Sequence, residues 1–299
     1  MAGIRELRAR IKSVGNIKQI TRAMEMVATT KLRRFQHRAV ASRPYAEEIT
    51  QLVAHLAKVL GDRVEERPLF QRGAGSKTAV LLVTSDRGLC GAYNSNLLRV
   101  LEGWRRDRGE AADDVDYFVY GKKGYSYLRA RERTVERYFV EPPLELIDYR
   151  GAASTSKALV TAFLSGEYDS VRVLYTAFES MAKFVPRWID FLPIEAEALA
   201  EKSAVDAETA KRESADMILE PDAETIFDSL VPRYLETRIY NALMEAITSE
   251  YASRRMSMKN ATDAAGEMQQ ELKTIYNRKR QEGITTELLD IVGGAEAIK

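Results

Sequence analysis

Residues 233–265 read RYLETRIYNALMEAITSEYASRRMSMKNATDAA, and after Pro232, the last proline of the chain, apolar side chains return every four residues at Leu235, Ile239, Leu243, Ile247 and Tyr251. Recurrence at three and four residues marks one face of an α-helix, whereas a half-buried strand alternates. The pattern runs on through Met258, Ala261, Ala265, Met268, Leu272 and Tyr276 to Ile284, Leu288 and Ile291. The other end of the chain mirrors it. Ile4, Leu7, Ile11, Val14, Ile17, Ile20, Met24 and Val27 form a stripe that Ile49, Leu52, Val53 and Leu56 take up again, interrupted only by Pro44. About 50 residues of helix would extend roughly 75 Å at 1.5 Å per residue, more than a globular core needs. Two such terminal helices can pair antiparallel as a coiled coil. Repeated steps of four depart from a strict heptad and leave the supercoil undefined.

Between the helices the texture changes. Thr78–Ser85 (TAVLLVTS), Val115–Tyr120 (VDYFVY) and Val171–Phe178 (VRVLYTAF) are short runs rich in β-branched and aromatic residues. Segments predicted as helices, Asn94–Trp104, Lys122–Arg131 and Thr155–Ser165, separate them. Strands alternating with helices predict a small α/β domain. Arg63–Ser76, with Pro68, Gly73 and Gly75, reads as the linker into it, and the acidic stretch Glu195–Pro221 as the linker out. The expected organisation is an N-terminal coiled-coil helix (1–62), a linker (63–76), the α/β domain (77–195), an acidic linker (196–222) and a C-terminal coiled-coil helix (223–299).

Composition excludes several classes. At 299 residues and 45% hydrophobic content the chain can bury a sizeable core. The 45 Lys+Arg against 44 Asp+Glu leave +1 overall, but the distribution is uneven. Eleven basic residues from Arg5 to Arg43 face only Glu6 and Glu25, whereas Glu195–Asp228 carries eleven acidic residues against Lys202, Lys211 and Arg212. The single cysteine, Cys90, excludes an internal disulfide and a cysteine-based metal cluster, and fits a reducing compartment. No run of about 18 apolar residues and no signal segment is present, so a soluble chain that meets a membrane only through partners is expected.

GAGSKT (Gly73–Thr78) resembles the end of a phosphate-binding loop, but such a loop needs Gly directly before its Lys and follows a strand. Here Ser76 precedes Lys77 and a strand comes after, so a flexible linker is expected. SDRGLCGAYN (Ser85–Asn94) lies between a strand and a helix, where α/β folds place chemistry. Cys90 there could be an activated thiol, yet His37 and His55 both lie in the N-terminal helix, and a nucleophile without a base is weak. The alternative is a tight turn using the backbone freedom of Gly88 and Gly91. The two histidines have no metal-ligand spacing and read as solvated helix positions. Met24, Met26, Met256, Met258 and Met268 read as packing residues. The basic collar can mean nucleic-acid binding; it is otherwise a solvated face unless an acidic partner exists.

ITRAMEMVATTKLRR (Ile20–Arg34) with ASRPYAE (Ala41–Glu47), TSDRGLCGAYN (Thr84–Asn94), LEPD (Leu219–Asp222), Arg233–Ala265 and ITTELLDIVGGAEAI (Ile284–Ile298) together resemble the gamma subunit of F-type ATP synthases, bacterial type. The resemblance implies an α/β fold in which a long antiparallel coiled coil of the termini joins a Rossmann-like central domain. It implies a rotor coupling c-ring rotation to ATP synthesis at β-subunit sites, with no catalytic residue, cofactor or metal of its own. The implied partners are three α and three β subunits, an epsilon subunit and the c ring, with one copy per complex and no nucleic acid. The implied location is peripheral, on the cytoplasmic face of the cell inner membrane. By motif position Met24, Arg254, Gln281 and Thr285 would contact the α/β-subunit ring, and Glu220 the c ring or epsilon at the foot. Two departures stand out: Leu219 replaces an aromatic residue common before Glu-Pro-Asp, and Cys90 alone cannot form the regulatory cysteine pair of chloroplast relatives. The rival readings are a non-rotary coiled-coil scaffold and a thiol-dependent enzyme.

Overall fold

Lys77–Val83 (β1) and Val115–Tyr120 (β2) are buried along almost their whole length, the signature of strands covered on both faces. The computed structural model describes residues 3–109, 113–181, 183–195, 199 and 220–296, with the side chains of 294–296 left aside. By internal contacts the chain forms two units: Lys31–Ser253, and Met1–Thr30 together with Arg254–Lys299. The long helices α1 (Ile4–Leu60) and α5 (Ala223–Glu296) contribute to both.

In the unit Lys31–Ser253 the remaining elements are α2 (Tyr93–Arg108), α3 (Lys122–Arg129), β3 (Val135–Phe139), α4 (Tyr149–Leu164), β4 (Tyr168–Phe178) and β5 (Phe184–Leu192). The sheet order is β3-β2-β1-β4-β5; β1 pairs parallel with β2 and β4, β2 pairs parallel with β3, and β5 runs antiparallel to β4. Val80, Leu82, Val119 and Leu174 pack with Leu97, Leu101 and Leu128 of α2 and α3. Reading the sequence missed β3 and β5. β3 (VERYF) is a short edge strand carrying Glu136 and Arg137, and β5 contains Pro186, which an edge strand tolerates because its missing N–H need not pair inward. Leu32, Phe35, Val53 and Leu56 of α1 and Phe227, Leu235, Ile239, Leu243 and Ile247 of α5 are buried in the same unit.

The expectation of a flexible linker at Gly73–Thr78 is corrected. The Gly73 N–H donates to the Asp169 carbonyl at 3.1 Å, and a Cβ at Gly73 or Gly75 would overlap the backbone of Tyr168 or Glu167. The glycines are there for close backbone approach. Most of the acidic stretch 196–222, with Leu219, lies outside the described residues. α5 begins at Ala223, ahead of Pro232, because Asp222 caps it: its carboxylate accepts the Thr225 N–H at 2.8 Å. That bond, with the Thr225 hydroxyl, holds the Asp222 carboxyl below its usual range.

In the other unit the two helices run antiparallel. Ile4 lies by Gly283, Arg8 donates to the Tyr276 hydroxyl at 2.8 Å, Gly15 faces Gln269, Lys18 covers Gly266, and the Thr262 hydroxyl donates to Thr21 at 2.8 Å. As α1 numbers rise, those of α5 fall. The sequestered positions on α1 include Leu7, Ile11, Val14, Gly15, Lys18, Thr21, Met24, Glu25 and Ala28, and those on α5 include Met258, Thr262, Ala265, Gly266, Gln269, Leu272 and Tyr276. Steps of three and four alternate, which is a heptad seam. The apolar stripes of the two helices therefore misplace Ile17, Ile20, Val27, Met268, Ile284, Leu288 and Ile291, each at least half exposed. Lys18, Thr21, Thr262 and Gln269 take the seam positions, and their polar character hid the period.

Gly75→Ala is expected to cost about 1–3 kcal/mol through overpacking against backbone. Gly103→Ala, where a Cβ meets nothing within 4 Å inside α2, should instead add about 0.5–1 kcal/mol. Urea unfolding of the two variants checks both signs.

Candidate functional site

In open parallel sheets ligands bind at the carboxyl ends of strands where the order reverses, here between β1 and β4. The turn after β1 is held by a net of hydrogen bonds. The Ser85 N–H donates to Asn94 Oδ1 at 3.1 Å, Asn94 Nδ2 donates back to Ser85 Oγ at 2.7 Å, and Thr84 Oγ1 accepts the Gly124 N–H at 2.8 Å. Left-handed backbone occurs at Gly91 (φ 55°) and Leu89 (φ 62°). The expectation that Gly88 supplies this freedom is thus corrected: Leu89 takes it, with its side chain exposed.

α5 lies across this crevice. Tyr93 donates its hydroxyl to the Ala246 carbonyl at 3.1 Å, and Ser253 Oγ donates to the Cys90 carbonyl at 2.6 Å. At the end of β4, Glu245 takes hydrogen bonds from Tyr175 and the Phe178 amide; burial still pushes its carboxyl up, and burial with the neighbouring Glu245 pushes the Tyr175 phenol up. The position that holds a nucleotide in dinucleotide-binding sheets is occupied by the chain's own helix. Cys90 is 2% exposed, with its sulfur 3.3 Å from Asn94 Nδ2 and 3.7 Å from Ser85 Oγ. These two neighbours are neutral, and both histidines of the chain, His37 and His55, stand on α1. Among the described residues no group of three His, Cys, Asp or Glu is placed to hold a metal.

The sequence-predicted contact residues fall elsewhere. Met24, half-buried, and Arg254, buried, flank the Thr21–Thr262 contact on α1 and α5. Gln281 and Thr285 are exposed one turn apart, the Thr285 hydroxyl donating to the Gln281 carbonyl at 3.0 Å. Glu220, exposed, belongs to the unit Lys31–Ser253, just before α5. The structure brings the first four into one unit and leaves Glu220 in the other. Sequence reading missed a junction between α1, α5 and the β3–α4 connection. There Lys31 pairs with Glu145, the Tyr251 hydroxyl donates to Glu145 Oε2 at 2.9 Å, and Arg38 donates to the Ile147 carbonyl at 2.7 Å. Burial raises the Glu145 carboxyl, but Lys31 and Tyr251 together outweigh it and leave it below its usual range. A lone Glu in LELID carries no periodic signal, so nothing local announced it.

The fold matches a chain of the Euglena gracilis mitochondrial ATP synthase OSCP/F1/c-ring structure with a TM-score of 0.63 at 19% identity, covering 99% of this chain and 94% of that one. A chain of the Tetrahymena thermophila mitochondrial ATP synthase central stalk/c-ring structure gives 0.58 at 24% identity, covering 81% and 99%. What these two chains share with this one is the fold, a mostly parallel sheet with long N- and C-terminal helices. The family model described as ATP synthase matches residues 3–298. The ATP synthase gamma chain of Geotalea uraniireducens is 34% identical over the full length of both chains, and that of Mycolicibacterium smegmatis 40% identical over 99% of this chain and 98% of its own. The chain belongs to the ATP synthase gamma chain family. It is a non-catalytic rotor subunit of the membrane-associated F-type complex, whose catalysis occurs on the β subunits. Among the described residues no helix is long and apolar enough to cross a membrane.

Cys90→Ala is expected to leave ATP synthesis by the assembled complex intact while costing about 1–3 kcal/mol of stability, as for other buried truncations. Synthesis rates in membrane vesicles and thermal unfolding of the complex measure the two effects separately.

Proposed function

We propose that the helix pair of residues 4–30 and 254–296 turns within a ring of three α and three β subunits, one copy per complex. The observation that carries this reading is apolar surface the seam does not use. Ile17, Ile20, Met26 and Val27 on α1, and Ile284, Leu288, Leu289, Ile291 and Val292 on α5, are each 50% or more exposed. Exposed apolar side chains in continuous lines mark an interaction surface. A surrounding ring would cover them without fixed bonds, which suits contacts that must exchange in rotation.

The named residues take roles accordingly. Gln281 and Thr285 meet the ring directly, whereas Met24 and Arg254, sequestered in the pair, act by setting its local shape where β subunits present an acidic loop. Of the basic residues between Arg5 and Arg43, the exposed ones other than Lys31 and Arg38 complement that loop, each exposed pair contributing about 0–1 kcal/mol. Glu220 lies in the part that meets the epsilon subunit and the c ring, and the protein sits peripherally on the cytoplasmic face of the inner membrane. Each β site then changes affinity with the face of the pair it meets, which is coupling between distant sites through a shared two-sided element.

A static scaffold makes the same contacts but need not exchange them. Ala28 is an unsuitable tether position, being 1% exposed, whereas its neighbour Val27 is 56% exposed. With Val27→Cys joined by a disulfide to a cysteine on the facing β subunit, ATP turnover is expected to stop on oxidation and return on reduction. Undiminished turnover in the cross-linked complex leaves the scaffold reading standing.

A further inference from the structure

A rotor must pass torque between its long helices and its α/β domain, and the unit Lys31–Ser253 holds both a stretch of each helix and the sheet. Lys31 opens this unit on α1 and Ser253 closes it on α5. At that edge Lys31, Glu145 and Tyr251 bring three elements together: α1, the short 3-10 turn Leu144–Leu146 between β3 and α4, and α5. The Lys31 ammonium also lies 5.5 Å from the centre of the Tyr251 ring, and that ring packs 5.4 Å from Phe35. The turn is anchored behind by Leu144 and Ile147, both buried, and by Arg38 on the Ile147 carbonyl.

We infer that the Lys31–Glu145–Tyr251 clasp is a torque-bearing contact that fixes α1 at Lys31 and α5 at Tyr251 to the β3–α4 connection of the same unit and sets the torsional stiffness of the rotor there. A sliding apolar contact resists compression but little shear. An ion pair and a charge-assisted hydrogen bond converging on one carboxylate fix direction as well as distance. Glu145 offers one oxygen to α1 and the other to α5, so twisting either helix about its axis displaces a bond on the same carboxylate. The half-buried setting strengthens these bonds relative to open solvent. Ser42 and Asn241, 3.4 Å apart, and Tyr45, Tyr149 and Tyr240 add further ties within the unit, but none carries opposite full charges across three elements.

This inference rests on the rotor reading, and its test separates the two. In the catalytic complex with an otherwise cysteine-free ring, a rod is attached to the α/β domain through Val140→Cys, an exposed position; Cys90 is buried and stays unlabelled. The angular spread of the rod about each pause reports the stiffness between ring and domain. Glu145→Gln is expected to broaden that spread and to lower ATP synthesis at limiting driving force, while unloaded hydrolysis keeps its rate. The exchange Lys31→Glu with Glu145→Lys, which restores an opposite-charge pair, is expected to narrow the spread again. An unchanged spread in Glu145→Gln overturns the inference, even with a lowered melting temperature, because a merely structural contact would do that. A broadened spread that the exchange does not narrow also overturns it. A rod that never turns on the unsubstituted complex overturns the rotor reading, and the clasp with it.

Discussion

The packing of the first half of α5 across the carboxyl ends of β1 and β4 is the constraint on which the remaining structure depends. From Ala242 to Ser253 almost every residue of the helix is buried, so this stretch behaves as a core element although it belongs to a 74-residue helix. Its partners meet it with polar as well as apolar groups, through Tyr93 on Ala246 and Ser253 on Cys90. Because these bonds engage backbone carbonyls, they set the rotation of the helix about its own axis. The tight turn after β1, with Leu89 in a left-handed conformation that costs a non-glycine residue about 1–3 kcal/mol, is the local shape that lets the Cys90 carbonyl face α5.

Beyond that packing the helix pair is held by unusual means. Its seam contains glycine, lysine, threonine and glutamine where a stable coiled coil carries leucine and isoleucine. Gly15 admits the Gln269 side chain and Gly266 lets Lys18 lie close, so register is recorded by polar contacts and small residues rather than by bulk. The larger apolar residues are spent on the outer surface instead. A pair built this way contributes modestly to its own stability and presents much of its hydrophobic content to whatever surrounds it.

How much of this was legible in the sequence depended on how far each signal was local. The long helices and the three central strands were evident because burial repeats within each segment. Ile17, Ile20, Val27, Met268, Ile284, Leu288 and Ile291 were assigned to the wrong face, since apolar character was equated with the seam in a protein that turns many of its apolar residues outward. β3 and β5 were missed because edge strands tolerate charge and proline, and Gly73 and Gly75 were read as freedom when they serve contact with a strand about 90 residues away. The motif positions Met24, Arg254, Gln281, Thr285 and Glu220 came from resemblance, and their differing burial could not be read from residue type. Glu145 was invisible for the opposite reason: its significance exists only where Lys31 and Tyr251 meet it, and both are more than 100 residues distant.

The tenancy of the sheet's crevice by α5 also constrains what this domain can become. A small molecule seeking the switch point would compete with a helix tethered to the same chain, whose effective concentration there does not fall on dilution. It would also have to break the Tyr93 and Ser253 bonds and strand their buried partners without hydrogen bonds. A ligand site is gained here only with difficulty, because each substitution that improves the fit of the helix raises the affinity a ligand would need. The domain is in that sense a receptor permanently bound to part of itself.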